Sequence, residues 1–153
     1  MLTRHIKPGG PRVLQLGGTT RDLFYYPKGT IQITVAGEDL KVGLWEQSGM
    51  QCGIPVKGIK TDANSTLKSS AGAVYDAVVV FDQLAGISNM QAFLGEVFRV
   101  LKPGGTFVFM ERTAGSPVAP LIRLGGPPAA GIHHFLVNYR CFMSHIYVSI
   151  HQL

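Results

Sequence analysis

Two glycines and one acid stand where a sheet of parallel strands would bind a nucleoside. Gly17 and Gly18 directly follow an apolar run, and glycines at the end of a first strand let the backbone approach a ligand closely. Glu38 lies about 20 residues further on, the separation at which an acidic side chain binds ribose hydroxyls. It reaches that position only if Ala36 and Gly37 bulge. A tight turn at the glycines and a solvated acid at Glu38 are the structural alternatives.

Five apolar segments predict the strands that would position these residues. They are short runs bounded by glycine, proline and polar residues. The run Val78-Val79-Val80-Phe81 does not alternate, which indicates burial on both faces, as in a parallel sheet covered by helices. The predicted strands are Arg12–Leu16, Thr30–Val35, Pro55–Lys60, Ala77–Phe81 and Thr106–Met110.

Helices are predicted between these strands. Asp39 is expected to cap a helix over about Leu40 to Gln47. Ser88 and Gln91 form a capping box for an amphipathic helix that ends at Pro103-Gly104-Gly105. The alternation predicts an α/β fold, a shortened doubly wound, Rossmann-like and mostly parallel sheet with helices on both faces. The remaining segments of this region are a brief helical turn within Thr20–Tyr26 and a polar, turn-rich stretch over Thr61–Gly72.

The amino-acid sequence from Tyr75 to Arg112 resembles that of one protein family. It reads YDAVVVFDQLAGISNMQAFLGEVFRVLKPGGTFVFMER. It is similar to class I S-adenosylmethionine-dependent methyltransferases, of the ubiquinone/menaquinone-biosynthesis type. The segment Tyr25 to Thr30, YYPKGT, resembles a Tyr-Pro-x-Gly step of a methyltransferase-like branch with membrane-associated thiol methyltransferase-like and plant members. The resemblance implies a lead-in segment at 1–11, a methyltransferase-like core at 12–112 and an atypical C-terminal extension at 113–153.

The resemblance also implies a set of site residues. S-adenosylmethionine would be held by Gly17, Gly18 and Glu38, with Asp62 and Ala63 at the adenine. At the end of the fourth strand, Phe81, Asp82 and Gln83 would face the methyl group or the substrate. Asp82 is the candidate general base, and a plain loop acid is the alternative for it. The positions that depart from the family pattern are Gln15, in place of an acid, and Thr19 and Arg21, in place of glycines.

Because some motifs match the family and other positions depart from it, two functions are considered. The first is an S-adenosylmethionine-dependent methyltransferase acting on a small molecule. The second is a non-catalytic methyltransferase-like subunit with a structural role in a larger assembly. A sheet that ended at the fifth strand would expose an edge, and a protein partner is therefore expected to cover it.

Composition restricts the classes of binding partner that are expected. The net charge of +5 is scattered rather than clustered, which disfavours a nucleic-acid binder and is compatible with peripheral contact to an anionic membrane. No apolar stretch is long enough for a transmembrane helix. The cysteines and histidines match no metal motif, so no metal is expected. These features predict an intracellular protein of the cytoplasm or of an organelle matrix or stroma. The residues concerned are Cys52, Cys141, His133, His134, His145 and His151.

Overall fold

One mixed sheet flanked by helices makes up the described part of the chain. The computed structural model describes residues 2–112, 135–142 and 145–152, and the side chains of residues 2–110. The strands are β1 Arg12–Gly17, β2 Gln32–Ala36, β3 Val56–Ile59, β4 Tyr75–Phe81, β5 Leu101–Arg112, β6 Phe135–Phe142 and β7 His145–Gln152. The α-helices are α1 Val42–Cys52, α2 Ala63–Ser69 and α3 Met90–Val100, and the short 3-10 helices are η1 Leu2–Arg4, η2 Thr20–Tyr25 and η3 Leu84–Gly86.

The strand order is β3-β2-β1-β4-β5-β7-β6. Strands β1 to β5 run parallel, whereas β7 is antiparallel to both β5 and β6. The order reverses between β1 and β4, and a ligand crevice is expected at such a switch point, outside the carboxyl ends of the strands. This topology confirms the predicted α/β class and the mostly parallel, doubly wound sheet.

The C-terminal hairpin lies on the side of β5 that was expected to be exposed. Strand β7 pairs with β5 from Thr106, opposite His151, to Arg112, opposite His145. Strand β5 is therefore not an edge of the described sheet, because β7 of the same chain pairs with it. From the sequence, residues 133–153 could form a strand pair or a short helix, since their apolar residues have no clean period. The proline and glycine residues of segment 114–131 predict a loop, which lies outside the described residues.

Two apolar clusters cover the two faces of the sheet. One joins strand residues to α2 and α3, and the other joins them to α1, η2 and the N-terminal segment. The side chains of Val78, Val79 and Val80 are completely buried, which confirms the prediction from the unbroken apolar run. No helix in the described part of the chain is long and apolar enough to cross a membrane.

Two helices begin at residues other than those predicted. Helix α1 starts at Val42 with Lys41 as its N-cap residue, so the predicted cap at Asp39 is wrong. Asp39 instead lies in the turn in which the Leu40 amide donates to the carbonyl of Gly37 at 3.3 Å.

At α3 the cap is Asn89, whose Oδ1 accepts from the Ala92 amide at 3.0 Å. The predicted capping box of Ser88 and Gln91 is therefore wrong by one residue. Since Asn is as good a cap as Ser, composition alone did not separate the two positions.

Helix α2 was missed because its sequence is polar and short. Asp62 caps it by accepting a hydrogen bond from the Ser65 amide at Oδ1, at 2.9 Å. Thr66 and Leu67 are completely buried, and Arg99 of α3 donates to the carbonyls of Leu67 and Ser70 at 2.8 and 2.9 Å. Packing against α3 thus stabilises a segment whose local sequence indicated a loop.

Candidate functional site

A cleft of about 760 Å³ opens at the carboxyl ends of β1, β2 and β3. Its volume lies in the range of small-molecule sites, roughly 300–1,000 Å³. Five segments meet there: the loop after β1, the turn after β2, the first turn of α1, the start of α2 and the segment after β4. The lining residues are Gly17, Gly18, Thr19, Thr20, Ala36, Gly37, Glu38, Asp39, Leu40, Lys41, Leu44, Trp45, Asp62, Ala63, Asn64, Gln83, Gly86 and Ile87.

The loop after β1 needs its two glycines. Gly17 and Gly18 have φ values of +73° and +83°, which favour glycine. A Cβ on Gly17 would lie 2.6 Å from the carbonyl oxygen of Phe81, and one on Gly18 would lie 2.7 Å from the Phe81 ring. The glycines therefore allow the end of β1 to lie tightly against the end of β4, and the same loop forms one wall of the cleft.

A buried polar group lies directly beneath this loop. Gln15 of β1 is completely buried, and its Oε1 accepts a hydrogen bond from the Tyr26 hydroxyl at 2.7 Å. Its Nε2 donates to the Gly17 carbonyl at 3.0 Å. Burial raises the pKa of Tyr26 well above its ordinary value, and the nearby Asp22 carboxylate raises it further. Tyr26 is therefore a hydroxyl donor at neutral pH.

A carboxylate also supports the loop. Oδ2 of Asp22 accepts hydrogen bonds from the Thr19 amide at 2.6 Å and from the Thr19 hydroxyl at 3.3 Å. Burial raises the pKa of Asp22 above its ordinary value, although its hydrogen bonds with Thr19 lower it. Sequence reasoning did not find Asp22; the signal available was an acid three residues after Thr19, the spacing of a cap at the start of η2.

The turn after β2 brings an acid to the cleft, but not at the strand's tip. Ala36 ends β2 and is 2% exposed. The Gly37 amide donates to the Ile59 carbonyl at 3.3 Å, and Glu38 follows as an exposed residue in the cleft wall. Glu38 thus lines the same cleft as Gly17 and Gly18, two residues after the end of β2.

Asp62 and Ala63 also line the cleft. The hydrogen bonds from Ser65 hold the pKa of the Asp62 carboxyl below its ordinary value. Asp62 is therefore a negative charge at the cleft and the N-cap of α2 at once. The prediction placed it in a turn, whereas it lies at a helix start.

The residues predicted at the end of β4 divide between the core and the cleft. Phe81 does not line the cleft: it is 6% exposed and packs in the cluster that contains Trp45. Strand alternation directs the Phe81 ring under the loop, and its contact with the methyl group or the substrate stays a prediction. Asp82 has φ +48°, is exposed and is not a cleft residue. Gln83 does line the cleft, together with Gly86 and Ile87, which carry no motif signal in the sequence.

Acidic side chains outnumber basic ones on the cleft's wall. Glu38, Asp39 and Asp62 are its carboxylates, and Lys41 is its ammonium, which suits a ligand that carries positive charge. The described residues include no cluster of metal-ligating side chains. His133 and His134 lie outside the described residues, as do the side chains of the other C-terminal histidines.

Comparison with known proteins shows which family and which solved structures share this architecture. The profile of a family described as "Methyltransferase domain" matches residues 16–109, and no curated protein matches the chain significantly. A SAM-dependent methyltransferase from Aquifex aeolicus superposes with a TM-score of 0.66 at 14% identity, covering 99% of this chain and 88% of that one. The N-methyltransferase NodS from Bradyrhizobium japonicum, in complex with S-adenosyl-L-homocysteine, gives 0.65 at 17% identity, covering 99% and 83%. The [4+2]-cyclase SpnF gives 0.68 at 17% identity, covering 94% and 75%. At these identities, the structural likeness shows the fold alone.

Proposed function

The chain belongs to the methyltransferase-domain family, and we propose that it is an S-adenosylmethionine-dependent methyltransferase acting on a small molecule. The observation that carries the proposal is the cleft, where Gly17, Gly18, Glu38 and Asp62 meet from separate parts of the chain. The amino-acid sequence from Tyr75 to Arg112 supports the ubiquinone/menaquinone-biosynthesis type within the family.

The residues of the cleft fit a nucleoside cofactor. The loop of Gly17 and Gly18 would lie against it, Glu38 would accept hydrogen bonds from the ribose hydroxyls, and Asp62 with Ala63 would bind the adenine. When bound, S-adenosylmethionine supplies a methyl group on a cationic sulfonium, ready for attack by a nucleophile. The acidic side chains of the cleft would favour that positive charge.

The acceptor would enter beside Gln83, Gly86 and Ile87, the cleft residues that follow β4. Methyl transfer in this arrangement depends mainly on orientation of the two reactants, which a preformed cleft supplies. A general base at Asp82 remains a prediction, and its place outside the cleft lining makes positioning the leading contribution.

A second function, a non-catalytic methyltransferase-like subunit, is favoured by one observation. The tip of β2 is the buried Ala36, and Glu38 reaches the cleft only from the following turn. A methyltransferase-like fold does not fix the reaction; one structural neighbour is described as a [4+2]-cyclase. In the subunit role, the edges left for a partner are β3 and β6, the outer strands of the described sheet.

Calorimetric titration with S-adenosylmethionine and S-adenosylhomocysteine tests the proposal. We expect saturable binding of both. Glu38→Ala should weaken S-adenosylhomocysteine about tenfold, equivalent to about 1.4 kcal/mol. The matched control is Glu46→Ala, an exposed acid of α1 that does not line the cleft and should bind as the wild type does.

Each result decides one part of the proposal. No heat at millimolar ligand would reject the enzyme and leave the non-catalytic subunit. Wild-type binding with an unchanged Glu38→Ala affinity would reject the ribose assignment alone. Once binding is established, release of S-adenosylhomocysteine in the presence of candidate acceptors identifies the substrate class.

A further inference from the structure

We infer that Gln15, Tyr26 and Asp22 are positioning residues that clamp the loop of Gly17, Gly18 and Thr19 from behind. The inference rests on the proposed function and adds to it. None of the three clamp residues lines the cleft, so they would act on the cofactor through the loop. We call them the loop clamp.

The side-chain amide of Gln15 is matched to its two partners. Its oxygen accepts from the Tyr26 hydroxyl at 2.7 Å and its nitrogen donates to the Gly17 carbonyl at 3.0 Å. A carboxylate has no proton to donate, so a glutamate would leave the Gly17 carbonyl without this donor and would bury a charge. Because Gln15 is completely buried, its polar atoms need these partners. An amide, rather than an acid, is what this loop conformation requires.

Gly18 lies between the two sides of the clamp. A Cβ added there would come within 2.7 Å of the Gln15 Nε2 and within 2.6 Å of the Asp22 Oδ2. The Asp22 carboxylate also accepts a hydrogen bond from the backbone amide of Thr19, the residue that follows Gly18. Hydrogen bonds thus fix the loop on both sides of Gly18, and the contacts around it leave no room for a side chain.

The Tyr-Pro-x-Gly segment holds Tyr26 in place. Tyr26 is the C-cap residue of η2 and is 4% exposed. The Pro27 carbonyl then accepts from the Thr30 amide at 3.3 Å and from the Thr30 hydroxyl at 2.7 Å, closing a turn that leads into β2. This segment, which the proposed function left without a role, is a strap that carries the Tyr26 hydroxyl beneath the loop.

Such a clamp would set the loop's geometry before any ligand arrives. Preorganisation improves affinity by reducing the ordering that binding requires. Removing a clamp hydrogen bond should therefore loosen the loop locally and weaken the cofactor, while the sheet beneath stays folded.

The first measurement is amide hydrogen exchange without ligand. In Tyr26→Phe and in Asp22→Ala, the segment 17–22 should exchange about tenfold faster, the size expected for loss of one buried hydrogen bond. The amides of β4 should not change. The matched control is Tyr75→Phe, the same substitution at the opposite end of the sheet, where β4 begins. If Tyr26→Phe does not fold, Asp22→Ala supplies the same test, since Asp22 is only half-buried.

The second measurement is the affinity for S-adenosylhomocysteine. Tyr26→Phe and Asp22→Ala should each bind about tenfold more weakly than the wild type. Asp22→Asn should restore most of the affinity, because its amide oxygen can still accept from Thr19. If the role of Asp22 were merely structural, Asp22→Ala and Asp22→Asn would bind with equal affinity under conditions in which both variants are fully folded.

The outcomes separate this inference from the proposed function. Wild-type protein that binds no S-adenosylhomocysteine would reject the proposed function, and the cofactor role of the clamp with it. Wild-type binding with equal affinity in the clamp variants would reject the inference and leave the proposed function standing. Unchanged exchange at 17–22 in both clamp variants would likewise reject the clamp.

Discussion

Replacing Gly17 by alanine tests the close approach of β1 and β4 at the cleft. Gly17 has φ +73°, and a Cβ there would lie 2.6 Å from the backbone oxygen of Phe81. Left-handed backbone costs an L-residue about 1–2 kcal/mol, and overpacking adds about 1–3 kcal/mol. The clash is with backbone rather than with a flexible side-chain end, so it is not relieved by a rotamer change. We expect Gly17→Ala to lower the free energy of unfolding by roughly 2–5 kcal/mol.

Gly29→Ala is the matched control. Gly29 has φ +82°, nearly the same backbone conformation, but nothing lies within 4 Å of a Cβ built there. It should cost only the backbone term of about 1–2 kcal/mol. Urea unfolding of the wild type and both variants gives the comparison, with the m-value checking that the two variants unfold in the same way. Equal losses in the two variants would refute the packing argument, since they would show that the Phe81 carbonyl does not crowd position 17.

Two further predictions concern the pH dependence of stability. Hydrogen bonds from Ser65 lower the pKa of Asp62 in the folded chain, so its contribution is present above the unfolded value and is lost as pH falls through the lower, folded pKa. Asp62→Ala should reduce the urea midpoint at pH 7 but not at the acid end of the titration; a pH-independent loss would contradict the capping role. Burial raises the pKa of Asp22, so its contribution is present below the unfolded value and is lost as pH rises through the higher, folded pKa. Asp22→Asn should therefore gain stability relative to the wild type across that window, from pH 4 upward, and a parallel pair of stability curves would count against it.

Local sequence was sufficient for the strands of the parallel sheet. The side chains from Val78 to Phe81 are all apolar, so burial of both faces of this strand follows from composition. The polar segment of α2 was different. Its helix depends on hydrogen bonds from Arg99 to the carbonyls of Leu67 and Ser70, and these join residues far apart in the chain. The pairing of β7 with β5 is also long-range, which is why no local period predicted it.

The candidate site also contains some residues that the sequence indicated and others that only the structure revealed. Glycine after an apolar strand and an acid about 20 residues later were visible in the sequence, and the structure places Gly17, Gly18 and Glu38 on one cleft. The sequence did not show that the Phe81 side chain packs in the core, because strand limits do not say which face of the sheet each residue occupies. Asp22 was missed because the spacing of Thr19 and Asp22 indicates only a helix cap, and its contact with the cleft loop depends on the fold.

By itself, the sequence determined that this chain forms parallel strands with a glycine turn after the first, because hydrophobicity and backbone freedom are local properties. The tertiary structure alone decided that the amide of Gln15 joins the Tyr26 hydroxyl to the Gly17 carbonyl. In the sequence, Gln15 is only the absence of an expected acid. In the fold it has two hydrogen-bond partners, because the chain returns through η2 and brings Tyr26 to a buried position that only a residue able to both donate and accept can satisfy.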